Sequence, residues 1–185
     1  MADLKSDQYE VRSAAQNELV KRGEPAVEPL MKFIREENGL AMREAIDAGY
    51  ATVQDKEGES NQHMREARQH DDNLKRAMYV LTKIGKPAVV PLLASLKDES
   101  ATARRYKALV IESLGEIGDQ RATGPILVAM KQYSGFSYGI YHMDEYAAKA
   151  LEKLSGQHFR TVKEWEDWWA ENKPKEQTPT TQAPK

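Results

Sequence analysis

Apolar positions recur at helical spacing along most of the chain. Val11, Ala14, Ala15, Leu19 and Val20 fall on one stripe and predict a helix over 7–22. Gly23 follows where a helix C-terminus favours a residue tolerant of positive φ, and Pro25 suits the first turn of a next helix. Pro29 comes soon after; its missing N–H is cheap only near a helix start, so this second helix begins late or bends. Val27, Leu30, Met31 and Ile34 supply its buried face. A two-helix hairpin of this kind cannot bury both faces alone and needs a neighbour.

The same string returns. Leu19–Ile34 reads LVKRGEPAVEPLMKFI and Leu81–Leu96 reads LTKIGKPAVVPLLASL, with Leu, Lys, Gly, Pro, Ala, Val, Pro and Leu in register. A third copy, Leu114–Met130, carries one extra residue after its glycine. Repetition at this period is a signal about the whole fold. Gly85 and Gly118 lie 33 residues apart, a plausible length for one helical hairpin. The third unit pairs helices near 101–117 and 121–132. A fourth first-type helix, near 144–154, sets Ala147, Leu151 and Leu154 on the pattern of Val110, Leu114 and Ile117. A short last helix, 162–171, puts Trp165, Trp168 and Trp169 on one face, suited to sealing the open end of a repeat stack.

Between 39 and 72 the repeat is interrupted. Met42, Ile46, Gly49 and Val53 keep a stripe, 55–61 reads as a polar turn, and helix resumes near Gln62 with Met64, Ala67, Leu74, Met78 and Leu81. The region is an eroded repeat or a pair of lengthened helices forming a protruding hairpin. The absence of an internal Gly-Pro hinge favours the hairpin. From Lys173 the chain holds no apolar residue larger than Ala, so 173–185 is expected to be a disordered Pro/Thr-rich tail after a repeat domain at 1–172.

Composition changes this picture little. A hydrophobic fraction of 40% with 30% charged residues is ordinary for a soluble globular chain. The formal charge of −2 offers no bulk attraction to nucleic acid or an anionic membrane. The absence of cysteine excludes disulfides and thiolate metal sites. No apolar run approaches a membrane span, and the first residues show no signal-peptide core. The compartment stays open: a soluble chain, either cytoplasmic or a mature exported form without its signal peptide, fits equally.

The two Gly-x-Pro-Ala-Val-x-Pro-Leu strings, Asp7-x-x-x-Val11-Arg12-x-x-Ala15 and Leu114-Gly-Glu-Ile-Gly-Asp-Gln-Arg121-Ala122 resemble HEAT-like repeat proteins, particularly the short bacterial kind related to phycobilin-lyase repeats. Leu154-Ser-Gly-Gln157 followed by the tryptophans is similar to a C-terminal cap of such proteins. The resemblance covers 5–35, 74–132 and 144–172 well and 39–72 poorly. It implies an all-α α-solenoid of three to four hairpins, with second helices lining a concave face and partner binding as the usual activity. The family's diiron branch uses His-Glu dipeptides, which do not occur here; its DNA-repair branch uses a basic groove, which the net charge does not support. Any Asp–Arg ladder between repeats is incomplete, since Leu74 and Asp144 stand where Arg12 and Lys107 do in other units.

Several residues suggest chemistry. Gly135-Phe136-Ser137-Tyr138-Gly139 matches the G-x-S-x-G elbow, but no β-rich strand precedes it, so it reads as a glycine-rich loop. Tyr133, Phe136, Tyr138, Tyr141 and His142 cluster there and suit an interface, or pack beneath the loop. His63 and His70, with Glu66 and Asp71, can be drawn as a metal face; their spacing of seven and the surrounding charges read instead as a solvated surface, and no metal or cofactor is expected. Arg104, Arg105, Lys107, Arg121 and Lys131 form the best basic cluster, expected to make ion pairs with Glu112, Glu116 and Asp119 rather than hold phosphate. The reading is a non-catalytic scaffold that binds a protein or peptide through Glu28, Lys32, Val90, Ser95, Thr123 and Lys131 of the second helices together with the aromatic loop. An enzyme-accessory role binding a pigment or small ligand is the alternative, and nucleic-acid binding comes third.

Overall fold

A computed structural model describes residues 1–54, 56–98, 101–133, 137–138 and 141–173, with the side chains of 101–105, 133, 137–138 and 141–142 left aside. The chain is all-α in class. Its helices are α1 (Tyr9–Arg22), α2 (Val27–Val53), α3 (Glu57–Ile84), α4 (Val89–Lys97), α5 (Ala101–Ile117), α6 (Thr123–Tyr133), α7 (Met143–Ser155) and α8 (Val162–Asn172). Among the described residues the extended structure is a two-residue antiparallel ladder, β1 (Ser137–Tyr138) with β2 (Tyr141–His142).

The repeated string has one local structure. Gly23, Gly85 and Gly118 end α1, α3 and α5 at φ of 62°, 81° and 75°, where a Cβ would be strained. Their N–H groups bond back to the carbonyls of Leu19, Leu81 and Leu114, satisfying helix-end acceptors. A 3₁₀ turn follows each time (Glu24–Ala26, Lys86–Ala88, Gln120–Ala122), and the next α-helix starts just after it. Pro29, Pro91 and Pro125 are each the third residue of that helix, where a missing donor costs no intrahelical bond. The late start expected from Pro29 is thus observed, and the third copy's extra residue is absorbed before its 3₁₀ turn.

Tertiary packing sets every second helix on the next. α1, α3, α5 and α7 neighbour one another in order, and so do α2, α4, α6 and α8, giving two layers joined by the α2–α3, α4–α5 and α6–α7 contacts. A continuous core runs between them, including Leu30, Ile34, Leu81, Leu92, Ile111, Leu114, Ile126 and Leu151. At the first end α1 has a neighbour on one side, so Val11 and Ala14 of its predicted stripe stay exposed and Leu19 is its buried residue. At the other end Trp165 is fully buried, edge-on to Phe159 (4.8 Å between ring centres) and Trp168 (6.0 Å).

α5 and α7 approach closely because Gly115 has no side chain. A Cβ there would lie 2.7 Å from Cα and Cβ of Ala150. Gly115→Ala should destabilise by about 1–3 kcal/mol through overpacking, although alanine is the better helix former. Gly39→Ala, inside α2 with open space around its Cβ position, should stabilise by up to about 1 kcal/mol. Urea midpoints of the two variants, moving in opposite directions, check this.

Within 39–72, α2 runs on to Val53 and α3 begins at Glu57. Residues 57–61, expected in a polar turn, belong to α3. Glu57 and Glu59 lie in the first turn of α3, where carboxylates favour the helix dipole. The buried face of the hairpin also differs from expectation. Ala67 is buried as its spacing predicts, but on α2 Ala41, Ala48 and Ala51 lie inside, whereas Ile46 and Val53 are 47% and 86% exposed. Small residues let the two backbones approach, and the larger apolar side chains are left on the outer side.

Candidate functional site

A surface depression lies on the first layer, where α3, α5 and α7 meet. It measures about 550 Å³ and is lined by Lys75, Met78, Tyr79, Thr82 and Lys83 of α3, Leu109, Glu112, Ser113 and Glu116 of α5, and Tyr146 of α7. Its floor follows from the helical periodicity: Met78 and Ser113 are buried and Leu109 packs on the core, while Tyr79, one residue on, is 52% exposed. Lys83 sits with Nζ 5.4 Å from the Tyr79 ring centre, a cation–π contact that holds both side chains over the groove. Glu116 is paired with Lys153 at the rim. A smaller hollow of 240 Å³ continues it along Glu112, Tyr146, Lys149 and Lys153. Apolar floor, two tyrosines and charges of both signs make a surface suited to an amphipathic ligand.

The second layer offers less. Glu28 and Val90 border a 460 Å³ hollow with Glu24, Lys86, Pro87 and Arg121. Glu28 is paired with Arg35 at 2.9 Å, Lys32 lies 3.8 Å from Glu36, and Lys131 is bonded to Glu166 at 2.6 Å. Ser95 and Thr123 are buried and do not reach a surface, because each sits on the core-facing side of its helix. Of the aromatic loop, Phe136 lies outside the described residues, as do the side chains of Tyr133, Tyr138, Tyr141 and His142; the backbone of Tyr138 pairs with Tyr141 in the ladder. Ser137 belongs to that two-residue ladder, and no larger sheet of the kind an elbow needs stands among the described residues.

The basic cluster is dispersed. Lys107 is fully buried and its Nζ donates to the Leu96 carbonyl at 2.7 Å, a cation at the C-terminus of α4. Arg121 donates from Nε and Nη2 to the two oxygens of Asp119, at 2.9 and 2.8 Å. The Arg121 hydrogen bonds outweigh the opposing effect of burial and lower the Asp119 carboxyl to about 2. Arg104 and Arg105 have side chains outside the described set.

The α2–α3 hairpin carries a polar seam that its sequence neighbours do not reveal. Glu37 faces His70 and Glu44 faces His63, seven residues on along one helix and seven back along the other. Glu37 is 1% exposed. Its Oε2 accepts from Asn73 Nδ2 at 2.9 Å and lies 2.8 Å from His70 Nδ1, and Lys5 meets the other oxygen. Burial pushes its carboxyl up, but the hydrogen bonds from Lys5, His70 and Asn73 outweigh this and hold it below the ordinary carboxylate range. Arg76 donates to Asn73 Oδ1 and to the Leu4 carbonyl, tying the N-terminal turn to the hairpin root. His63 Nδ1 lies 2.7 Å from Glu44 Oε2. That hydrogen bond, opposed by slight desolvation and aided by Asp47 and Glu66, raises its imidazole above the ordinary value. The two histidines therefore serve separate clusters rather than one face, since each turns to a glutamate of α2.

Tyr79, Tyr146, Glu37 and Glu44 were not singled out by the pattern of residues. For the tyrosines the available signal was a polar-tipped aromatic beside a core position; for the glutamates it was the heptad spacing to the histidines. Among the described residues no helix is long and apolar enough to cross a membrane. The chain matches no protein-family model and no curated protein sequence.

Proposed function

We propose that this chain is a non-catalytic HEAT-like scaffold, an α-solenoid of hairpins, that binds a protein or peptide in the α3–α5–α7 groove. The supporting observation is the groove itself: an apolar floor with half-exposed Tyr79 held by Lys83, and Glu112 and Lys75 placed to orient a charged ligand. Large aromatic side chains at the centre of such a surface carry most of the binding energy. The repeated Gly–3₁₀–Pro module and the alternate-helix packing support the solenoid reading. Peptides selected from a displayed library on the full chain should bind this groove. Tyr79→Ala should weaken the selected peptides about 30-fold, the equivalent of roughly 2 kcal/mol, by fluorescence anisotropy. Val128→Ala, at an exposed position of α6, should leave them unchanged. Equal loss in both variants, or none in Tyr79→Ala, would count against the groove.

A groove of 550 Å³ is also in the size range of small-ligand sites, which supports the alternative of a pigment- or ligand-binding accessory protein. Native mass spectrometry and the visible spectrum of freshly purified protein separate the two readings. A retained small molecule displaced by Tyr79→Ala favours the second.

A further inference from the structure

The seam of the α2–α3 hairpin holds a cluster independent of the groove. We propose that Glu44, His63 and Glu66 form a binding site for one divalent transition-metal ion of the zinc class. His63 and Glu66 are three residues apart and share a face of α3. Glu44 stands opposite on α2, brought there by the antiparallel register that also joins Glu37 to His70. One donor atom from each of the three lies within 4.8 Å of the others. Small side-chain rotations bring such a span to the roughly 2.0–2.2 Å bonds that imidazole nitrogen and carboxylate oxygen make to zinc.

The donor set decides the class of ion. One borderline imidazole and two carboxylates suit zinc or cobalt, whereas calcium takes about 6–8 oxygens. Three protein donors leave a position for water, the pattern of an open rather than a closed site. The carboxylates of Glu44 and Glu66 face each other across the cluster, close enough to interact directly. Asp47 stands near His63 and adds a further carboxylate to the surroundings. Gln62 Nε2 donates to Glu66 Oε1 at 3.0 Å, orienting that carboxylate and leaving its second oxygen for the ion. The side chains of Glu44 and His63 are 17% and 32% exposed and Glu66 is exposed, so the cluster is open to entry from solvent. A bound ion would replace the His63–Glu44 hydrogen bond with bonds that clasp α2 to α3 beyond the root of the hairpin.

The test is calorimetric titration of the untagged full chain with zinc chloride, repeated with cobalt chloride while visible absorption is followed. One ion per chain is expected, with cobalt d–d bands that saturate at the same stoichiometry. His63→Ala and Glu44→Gln should each weaken binding by about tenfold or more, and Gln62→Ala by about tenfold, with helical circular dichroism unchanged. His158→Ala, which removes the separate His158–Glu152 contact near the C-terminus, should leave binding intact. Absence of saturable binding by either ion, or binding that survives His63→Ala, overturns the proposal.

Discussion

Trp165→Ala is expected to lower the stability of the chain by about 3–5 kcal/mol. The indole is fully buried and packs edge-on against Phe159 and Trp168, which stand between it and solvent. Its removal leaves a cavity lined by rings too rigid to collapse into it, so transfer and cavity penalties add. α8 is the last element of the second layer and packs on α6, where Trp169 lies against Gly124. Loosening α8 should therefore expose the end of the core as well. For a chain of this length the melting temperature should fall by on the order of 10 °C, measured by circular dichroism. Tryptophan emission, from Trp168 and Trp169 alone in the variant, should shift to the red. A variant that melts within a degree or two of the parent would show that α8 adds little to the stack.

The second large effect should come from Glu37. Glu37→Ala leaves Asn73 and His70 facing a space without their acceptor, and should cost about 3–5 kcal/mol. Glu37→Gln keeps the shape but loses the charge and one accepting oxygen, for a smaller cost of about 1–3 kcal/mol. The pH dependence separates charge from packing. The native carboxyl lies below its ordinary value, so its contribution is present above the unfolded carboxylate range, near pH 4.5, and is lost as pH falls through the lowered native value. Urea denaturation should thus show the parent well above Glu37→Gln at pH 7, with the gap closing as pH falls below the ordinary carboxylate range. A gap that stays constant over that range would mean that the Lys5, His70 and Asn73 contacts do not act through the charge. Glu37→Ala should also free the N-terminal turn, because Lys5 and the Arg76–Leu4 link converge on this point.

Much of the helical framework was legible in the order of residues. Leu19, Val27, Leu30, Met31 and Ile34, and their counterparts Leu81, Val89 and Leu92, are buried as their spacing requires. The glycines that end α1, α3 and α5 adopt positive φ, and the prolines sit where a helix can spare a donor. Trp165 of the tryptophan face is buried against Phe159 and Trp168. These features depend on contacts within a turn or two, where backbone sterics and helical periodicity leave few alternatives.

Other assignments failed because they concern which face meets which neighbour. On α2 the hairpin buries Ala41, Ala48 and Ala51 and exposes Ile46 and Val53, since close backbone approach outweighed side-chain size. Ser95 and Thr123 were placed on a surface and lie inside; Lys107 was placed in a basic patch and is buried against a helix end. The local order of residues set the helices, their stops and their buried stripes, because those depend on near neighbours. The register of α2 against α3, the pairing of Glu37 and Glu44 with histidines 33 and 19 residues away, and the groove of α3, α5 and α7 were decided by tertiary packing. Such contacts join residues distant in sequence, and a helical face does not record what will be laid against it.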